Sequence, residues 1–326
     1  MASSPIASVV VATFNRAELL ARLLNALELQ DATPFEVVVV DDASTDATAA
    51  LLAERAGSTT AYTLIALRQE RNQGPAAARN RGWRTATAPV VCFTDDDCIP
   101  QKGWLQAHLV AIESGADLVQ GKTMPVAEQR HRSSPFSRTI QRDRDCGYYE
   151  TCNISYRRDV LERVDGFDEQ FRFPFGEDID LAWRAIDVGY RVVFNHLAEV
   201  QHEIWPFSWP SFIADVRRRE GLVLAVHKHP HLRRQFTRPW CVNPPHEAAL
   251  IAGAALVIAA VKPRSYLRWA GVGAAVTNYY GVAREFRYAP RLRRQWPAYV
   301  VLMLGSDLAE IGVMAAASVK YRTILL

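Results

Sequence analysis

The stretch "VVCFTDDDCIP" (Val90–Pro100) sets an apolar, partly β-branched run directly against three carboxylates, Asp95, Asp96 and Asp97. A short apolar run with such an ending reads as a buried strand that delivers charge to its carboxyl end. Like charges packed together repel, so the triplet is either a solvated acidic turn or the seat of a cation. Alternate side chains of a strand share a face, so Asp95 and Asp97 are expected on one side and Asp96 on the other. Two carboxylates on one side can hold a hard divalent cation, Mg²⁺ or Mn²⁺, that keeps positions open for phosphate oxygens.

The pattern of apolar run and polar end recurs upstream. "IASVVVAT" (Ile6–Thr13) and "FEVVVVDD" (Phe35–Asp42) are β-branched strands, and "AYTLIAL" is a third. Between them "RAELLARLLNALELQ" (Arg16–Gln30) carries leucines at helical spacing, and "STDATAALLAERA" opens on Ser44 or Thr45 as an N-cap. "GPAAARNRGWRTA" (Gly74–Ala86) is a helix with a Gly-Pro start. Strands alternating with helices predict right-handed βαβ units and a mostly parallel, Rossmann-like sheet with helices on both faces. Ligands of such sheets bind beyond the carboxyl ends of the strands. Thr13, Asn15 and Arg16 lie at the first such end, Asp41 and Asp42 at the second, and Asp95–Asp97 at the fourth. Any one cluster is ordinary turn chemistry; three on one rim point to a site.

Downstream, Gly121–Tyr149 reads as a long irregular loop, a place where function often resides. "CNISYRRDVLERVDGFDEQF" gives a strand and then a helix from about Arg158. "GEDIDLAWRAIDVGY" is a helix from near Glu177 to Gly189, with Asp180 and Arg184 spaced for an intrahelical pair. "RVVFNHLAEVQHE" returns as strand.

The chain has 326 residues, 49% of them hydrophobic and 22% charged, which suits one sizeable α/β domain with an appendage rather than disorder. A net charge of +3 gives no argument for nucleic acid. Five cysteines without a CxxC pair fit a reducing compartment, and the N-terminus lacks the basic leader and long apolar run of a secretion signal.

From about Trp240 the character changes, so residues 1–239 are expected to form the α/β domain and 240–326 a helical region. Ala248–Val261 is apolar throughout but only fourteen residues long, short of the roughly 20 that span a bilayer. Ala270–Ala283 and Ala298–Val319 follow, the latter carrying Asp307 and Glu310 on one helical face. From Lys262 to Arg294 eight Lys or Arg stand against the single acid Glu285. Apolar helices with basic flanks suit a membrane interface; a soluble helical cap is the alternative. Arg217–Arg219 and Arg233–Arg234 suit an anionic lipid, a lipid-linked diphosphate or plain solvation.

"VVVATFNR", "VVVVDDASTD", "NQGPAAARNRGW", "VVCFTDDDCIP", "CNISYRRDVLERVDGFDE" and "GEDIDLAWR", in this order and spacing, resemble the motifs of family 2 glycosyltransferases of the GT-A fold, over about Ile6 to His202. The ending "SVKYRTILL" resembles bacterial members that work at the cytoplasmic face of the inner membrane in polysaccharide or cell-envelope synthesis. The resemblance implies an inverting transferase that moves a sugar from a nucleotide diphosphate-sugar donor to a hydroxyl of a glycan or lipid-linked acceptor. It makes Asp95–Asp97 a DXD motif, with Asp97 the metal ligand, Asp95 shared between metal and donor, and Asp96 among the substrate-binding residues.

Asp41 and Asp42 then face base and ribose, Arg79 reaches the diphosphate or base, and Thr13, Asn15 and Arg16 border the nucleotide. Asp178 takes the place of the base that deprotonates the acceptor, with Glu177 beside it; both acids also suit a helix N-terminus on dipole grounds alone. Trp183 either lines the acceptor cleft or packs in the core. His202 stands where many GT-A enzymes bring a histidine to the metal, or is structural. A sugar-nucleotide synthesising enzyme would need a Gly-rich loop where this chain has "TFNR", and a dinucleotide oxidoreductase would need GxGxxG there. A non-catalytic nucleotide-sugar or glycan-binding protein remains the alternative from another class.

Overall fold

β1 (Ala7–Thr13) and β2 (Phe35–Asp41) form because runs of valine suit an extended backbone buried on both faces. The computed structural model describes residues 4–56, 61–134, 136–171, 174–261, 267–287 and 296–326. In β1 and β2 the alternation divides the valines between two layers. Val9, Val11, Val37 and Val39 face the leucines of α1 (Ala17–Leu27). Val10 and Val38 face the other layer, where α3 (Pro75–Thr85) packs. Each such side chain contributes about 1.5–3 kcal/mol by leaving water. α3 comes very close to β1 at Gly82, where a Cβ would stand 2.5 Å from Val10 Cγ1. α2 (Thr48–Ala56) follows β2, and the Asp46 carboxylate accepts the Thr48 and Ala17 amides. Asp46 thus takes the capping part expected of Ser44 or Thr45.

With β3 (Thr63–Arg68), β4 (Val90–Thr94), β5 (Cys98–Pro100), β6 (Leu118–Pro125), β7 (Asn153–Arg157) and β8 (Val192–His202), one eight-stranded sheet runs β3-β2-β1-β4-β7-β6-β8-β5. The βαβ half is parallel, as the alternation requires. Beyond β4 the sheet is mixed: β7 is antiparallel to β4 and β6, and β5 is antiparallel to β8. The expected irregular segment Gly121–Tyr149 begins as strand, since β6 continues to Pro125. α4 (Trp104–Glu113), α5 (Arg158–Val164) and α6 (Glu177–Asp187) complete this part.

The chain packs as two units, Met1–Arg130 with Thr139–Ile204, and His131–Arg138 with Trp205–Leu326. The expected boundary at residue 239 therefore falls inside the second unit. There α7 (Trp209–Lys228), with Ser208 and Ser211 forming a capping box, joins α8 (Pro244–Val261), α9 (Leu267–Arg287) and α10 (Trp296–Lys320). The C-terminal strand-like tail closes this unit: the Leu326 amide donates to Trp240 O and its carbonyl accepts from Val242 N.

Asp307 and Glu310, expected on one helical face, turn inward at 0% and 7% exposure. Asp307 accepts from the Tyr279 hydroxyl at 2.6 Å, and Glu310 meets Arg219 at 2.9 Å and His246 at 3.3 Å. The apolar side chains Val257, Val261 and Val301 instead face outward, at 63%, 73% and 71% exposure. Among the described residues one helical stretch, Pro297–Lys320, is long and apolar enough to cross a membrane, and 44% of its most apolar window is buried. The basic joining segments at 262–266 and 288–295 lie outside the described residues.

Candidate active site

β4 ends at Thr94, and Asp95–Asp97 form a turn closed by the Cys98 amide donating to Asp95 O at 3.0 Å. The strand alternation therefore stops at Thr94, before it could put Asp95 and Asp97 on one side. Asp95 accepts from Arg79 Nη2 at 2.8 Å. Asp96 accepts from Arg16 Nη1 at 2.7 Å and from Thr13 Oγ1 at 2.8 Å. Asp97 is 3.3 Å from Arg16 Nη1 and, through its other oxygen, 3.6 Å from His202 Nε2. Burial pushes the Asp96 carboxyl up to about 6, against the pull of Arg16.

Arg79 couples this turn to α6. Its side chain is buried, with Nη1 on Glu177 Oε1 and Nη2 on Asp95 Oδ1, both at 2.8 Å. Gly176 starts α6 at φ 100°, a conformation open to glycine, and so aims Glu177 and Asp178 at the rim. Burial raises the Glu177 carboxyl, opposed by Arg79. Asp178 lies well above the usual carboxylate range, through burial first and then the charges of Glu177 and Glu150. The helix N-terminus pulls the other way and loses. The Asp180–Arg184 pair forms at 2.8 Å, and Arg184 also holds Gly166 O at 2.6 Å. Trp183 donates to Gly147 O at 3.0 Å and meets the Tyr149 ring edge-on, so it positions the loop beside the rim.

Asp41 and Asp42 are occupied by the protein's own donors. Asp41 accepts from Arg68 and the Ser44 amide at 2.7 and 2.8 Å. Asp42 accepts from Gln69, the Gln73 amide and the Gly74 amide at 2.7, 2.8 and 2.8 Å, which ties the loop after β3 to the start of α3. Asn15, at φ 54°, receives the Thr45 amide on its side chain, while its own amide donates to Ser44 Oγ. These residues hold the rim's loops to one another.

Two guanidiniums meet four carboxylates (Asp95, Asp96, Asp97 and Glu177), so two negative charges remain when all are ionised. A divalent cation fits that balance. It also fits His202, whose Nδ1 lies 2.8 Å from Glu203 O. A carbonyl only accepts, so Nδ1 carries the proton, and in the neutral ring the Nε2 lone pair faces Asp97. Two acceptors facing each other call for something positive between them. The convergent donors are Asp97, Cys98 and His202, all buried. Asp95, expected as a ligand, is not in that set; its carboxylate lies against Arg79. Sequence reasoning missed Cys98, and it missed the part of Arg16 and Thr13 in holding the acidic turn.

Residues 8–165 match the family model described as glycosyl transferase family 2. Glycosyltransferase AglE of Haloferax volcanii is 32% identical over 213 residues, 63% of this chain and 69% of that protein. The pre-mycofactocin glycosyltransferase of Mycobacterium tuberculosis is 33% identical over 211 residues, 60% of this chain but only 42% of that longer protein. Among solved structures, the mannosyltransferase PcManGT from Pyrobaculum calidifontis, in complex with GDP-Man and Mn²⁺, superposes with a TM-score of 0.58. It covers 98% of this chain and 88% of its own, and at 23% identity the likeness speaks for the GT-A fold. Fold, motif order and sequence kinship agree, and the chain belongs to glycosyltransferase family 2.

Proposed function

We propose that the first unit inverts configuration as it moves a sugar from a nucleotide diphosphate-sugar to a hydroxyl of a glycan or lipid-linked acceptor, with a divalent cation at Asp97 and His202. The carrying observation is the Arg79 bridge, which sets the acidic turn and the Glu177–Asp178 helix start on one rim. The acceptor oxygen attacks the anomeric carbon from the face opposite the diphosphate. The bond to the diphosphate oxygen breaks with its electron pair, and Asp178 takes the hydroxyl proton. A bound Mg²⁺ or Mn²⁺ supplies positive charge to the departing diphosphate. Thr13, Asn15, Arg16, Asp41 and Asp42 shape the nucleotide side, largely through the loops they hold, and Trp183 borders the acceptor side. The GDP-Man and Mn²⁺ bound to PcManGT support a donor of this class.

Calorimetric titration of UDP and GDP into the protein with Mn²⁺, and again with EDTA, tests the cation. Binding of one nucleotide is expected with Mn²⁺ and at least tenfold weaker affinity with EDTA (about 1.4 kcal/mol). Equal affinities in the two conditions would remove the metal from the reading.

The second unit supports a place on the cytoplasmic membrane surface. On its apolar helices Asp307 and Glu310 face inward while Val257, Val261 and Val301 face outward, an arrangement that suits helices in contact with lipid. Lys and Arg between Lys262 and Arg294 would add about 1 kcal/mol each near anionic lipid. Full-length protein is expected to sediment with phosphatidylglycerol vesicles at low salt and to be partly released at high salt. Protein that ignores these vesicles and stays soluble without detergent has a helical cap there instead.

A further inference from the structure

Cys98 follows Asp97 and lies on β5, directly opposite His202 of β8 in an antiparallel register. Directly opposed residues project to the same face. The Glu203 amide donates to Asp97 O at 3.0 Å, extending the same ladder past the acidic turn. In consequence one Asp97 carboxylate oxygen, Cys98 Sγ and one His202 ring nitrogen all lie within 4.8 Å of one another, and all three residues are buried. Donors bonded to one ion at about 2.0–2.3 Å stand roughly 3.3–3.8 Å apart in a tetrahedral arrangement. The three atoms need to close by about 1.5 Å at most to share an ion.

We infer that Cys98 is a metal donor alongside Asp97 and His202, and that its sulfur turns the site toward Co²⁺ and Zn²⁺ and away from the harder Mg²⁺. The inference rests on the metal-dependent reading given above. Two carboxylates and water would suit a hard ion, whereas an O, N, S set suits borderline ions. When the sulfur–metal bond forms, the thiol proton is released to solvent, so binding is accompanied by proton release. The competing role is packing, because Cys98 also belongs to the core beside Cys152.

The experiment is titration of full-length, phosphine-reduced protein with Co²⁺, read by near-ultraviolet absorption, with calorimetry for Mn²⁺, Mg²⁺ and Zn²⁺. Wild type is expected to show a thiolate-to-cobalt charge-transfer band that saturates at one Co²⁺ per chain. Cys98→Ser is expected to lose the band and to weaken Co²⁺ and Zn²⁺ binding by at least the roughly 10–100-fold that losing an outer-shell partner costs. Cys152→Ser is expected to keep the band, which guards against a packing effect. Stoichiometric Co²⁺ binding without the band, or a band that survives in Cys98→Ser, overturns the role of Cys98 and leaves the metal reading standing. No binding of any of these ions overturns both.

Discussion

Asp178→Asn is expected to lower kcat by about 10²–10⁴, the usual worth of a positioned general base, with nucleotide affinity close to wild type. The asymmetry follows from the proposed roles, since Arg79 and the acidic turn hold the donor side while Asp178 acts on the acceptor hydroxyl. An amide has nearly the shape of the carboxylate but cannot take a proton. The pH profile carries a second signature. Asp178 works deprotonated, and burial with the charges of Glu177 and Glu150 raises its pKa well above the usual range. The active fraction therefore grows with pH, and the acid limb of kcat/KM should lie above the ordinary carboxylate value of about 4. Glu150→Gln removes one negative neighbour, favours the charged form of Asp178 and should move that limb to lower pH. Steady-state transfer assays and nucleotide titrations on both variants check this. An Asp178→Asn enzyme that keeps most of its kcat would move the role to Glu177, whose Oε2 is buried without a hydrogen-bond partner among the described residues.

The βαβ half was legible because one signal decides it. Valine runs such as Val37–Val40 bury on both faces only in a parallel sheet, and the leucines of Ala17–Leu27 keep helical spacing. In the second half β7, α5, α6 and β8 were legible too, but β5 and β6 were not, because β5 is three residues long and β6 holds Gln120, Gly121 and Lys122, which carry no strand pattern of their own. Their pairing with β8 makes them strands, and tertiary pairing is invisible in a local window. The rim residues were legible as a set but not in their partners. Strand alternation was carried three residues past Thr94, to Asp97, into a turn that obeys no period of two. Asp307 and Glu310 were placed on one helical face correctly, yet a helical wheel does not say whether that face meets water or Arg219 and Tyr279. Cys98 was hidden for the same reason as β5: only the register against His202 brings its sulfur to the acidic turn.

Arg79→Ala is expected to cost about 3–5 kcal/mol of stability, because it leaves the Glu177 and Asp95 carboxylates without their buried counter-charge. For a unit of this size that is roughly a 6–20 °C fall in its thermal midpoint. Arg84→Ala, which breaks an ion pair of similar chemistry but exposed at 47% and 93%, should cost no more than about 1 kcal/mol. Arg79→Lys keeps the charge but not the fork that grips two carboxylates at once, and should fall between them. The sign of the pH effect separates charge from packing. In Arg79→Ala the buried Glu177, already raised by desolvation, rises further, so protonation relieves it and the deficit shrinks as pH falls. A deficit caused by a lost side-chain volume would not change with pH. Thermal unfolding of the three variants from acidic to neutral pH reads both the size and the slope. The same contact joins the donor-facing turn to the helix that presents Asp178, so Arg79→Ala should also weaken nucleotide binding, which Asp178→Asn should not. Arg79→Ala protein that melts and binds like wild type would show that the turn and the helix are held to one rim by something other than this bridge.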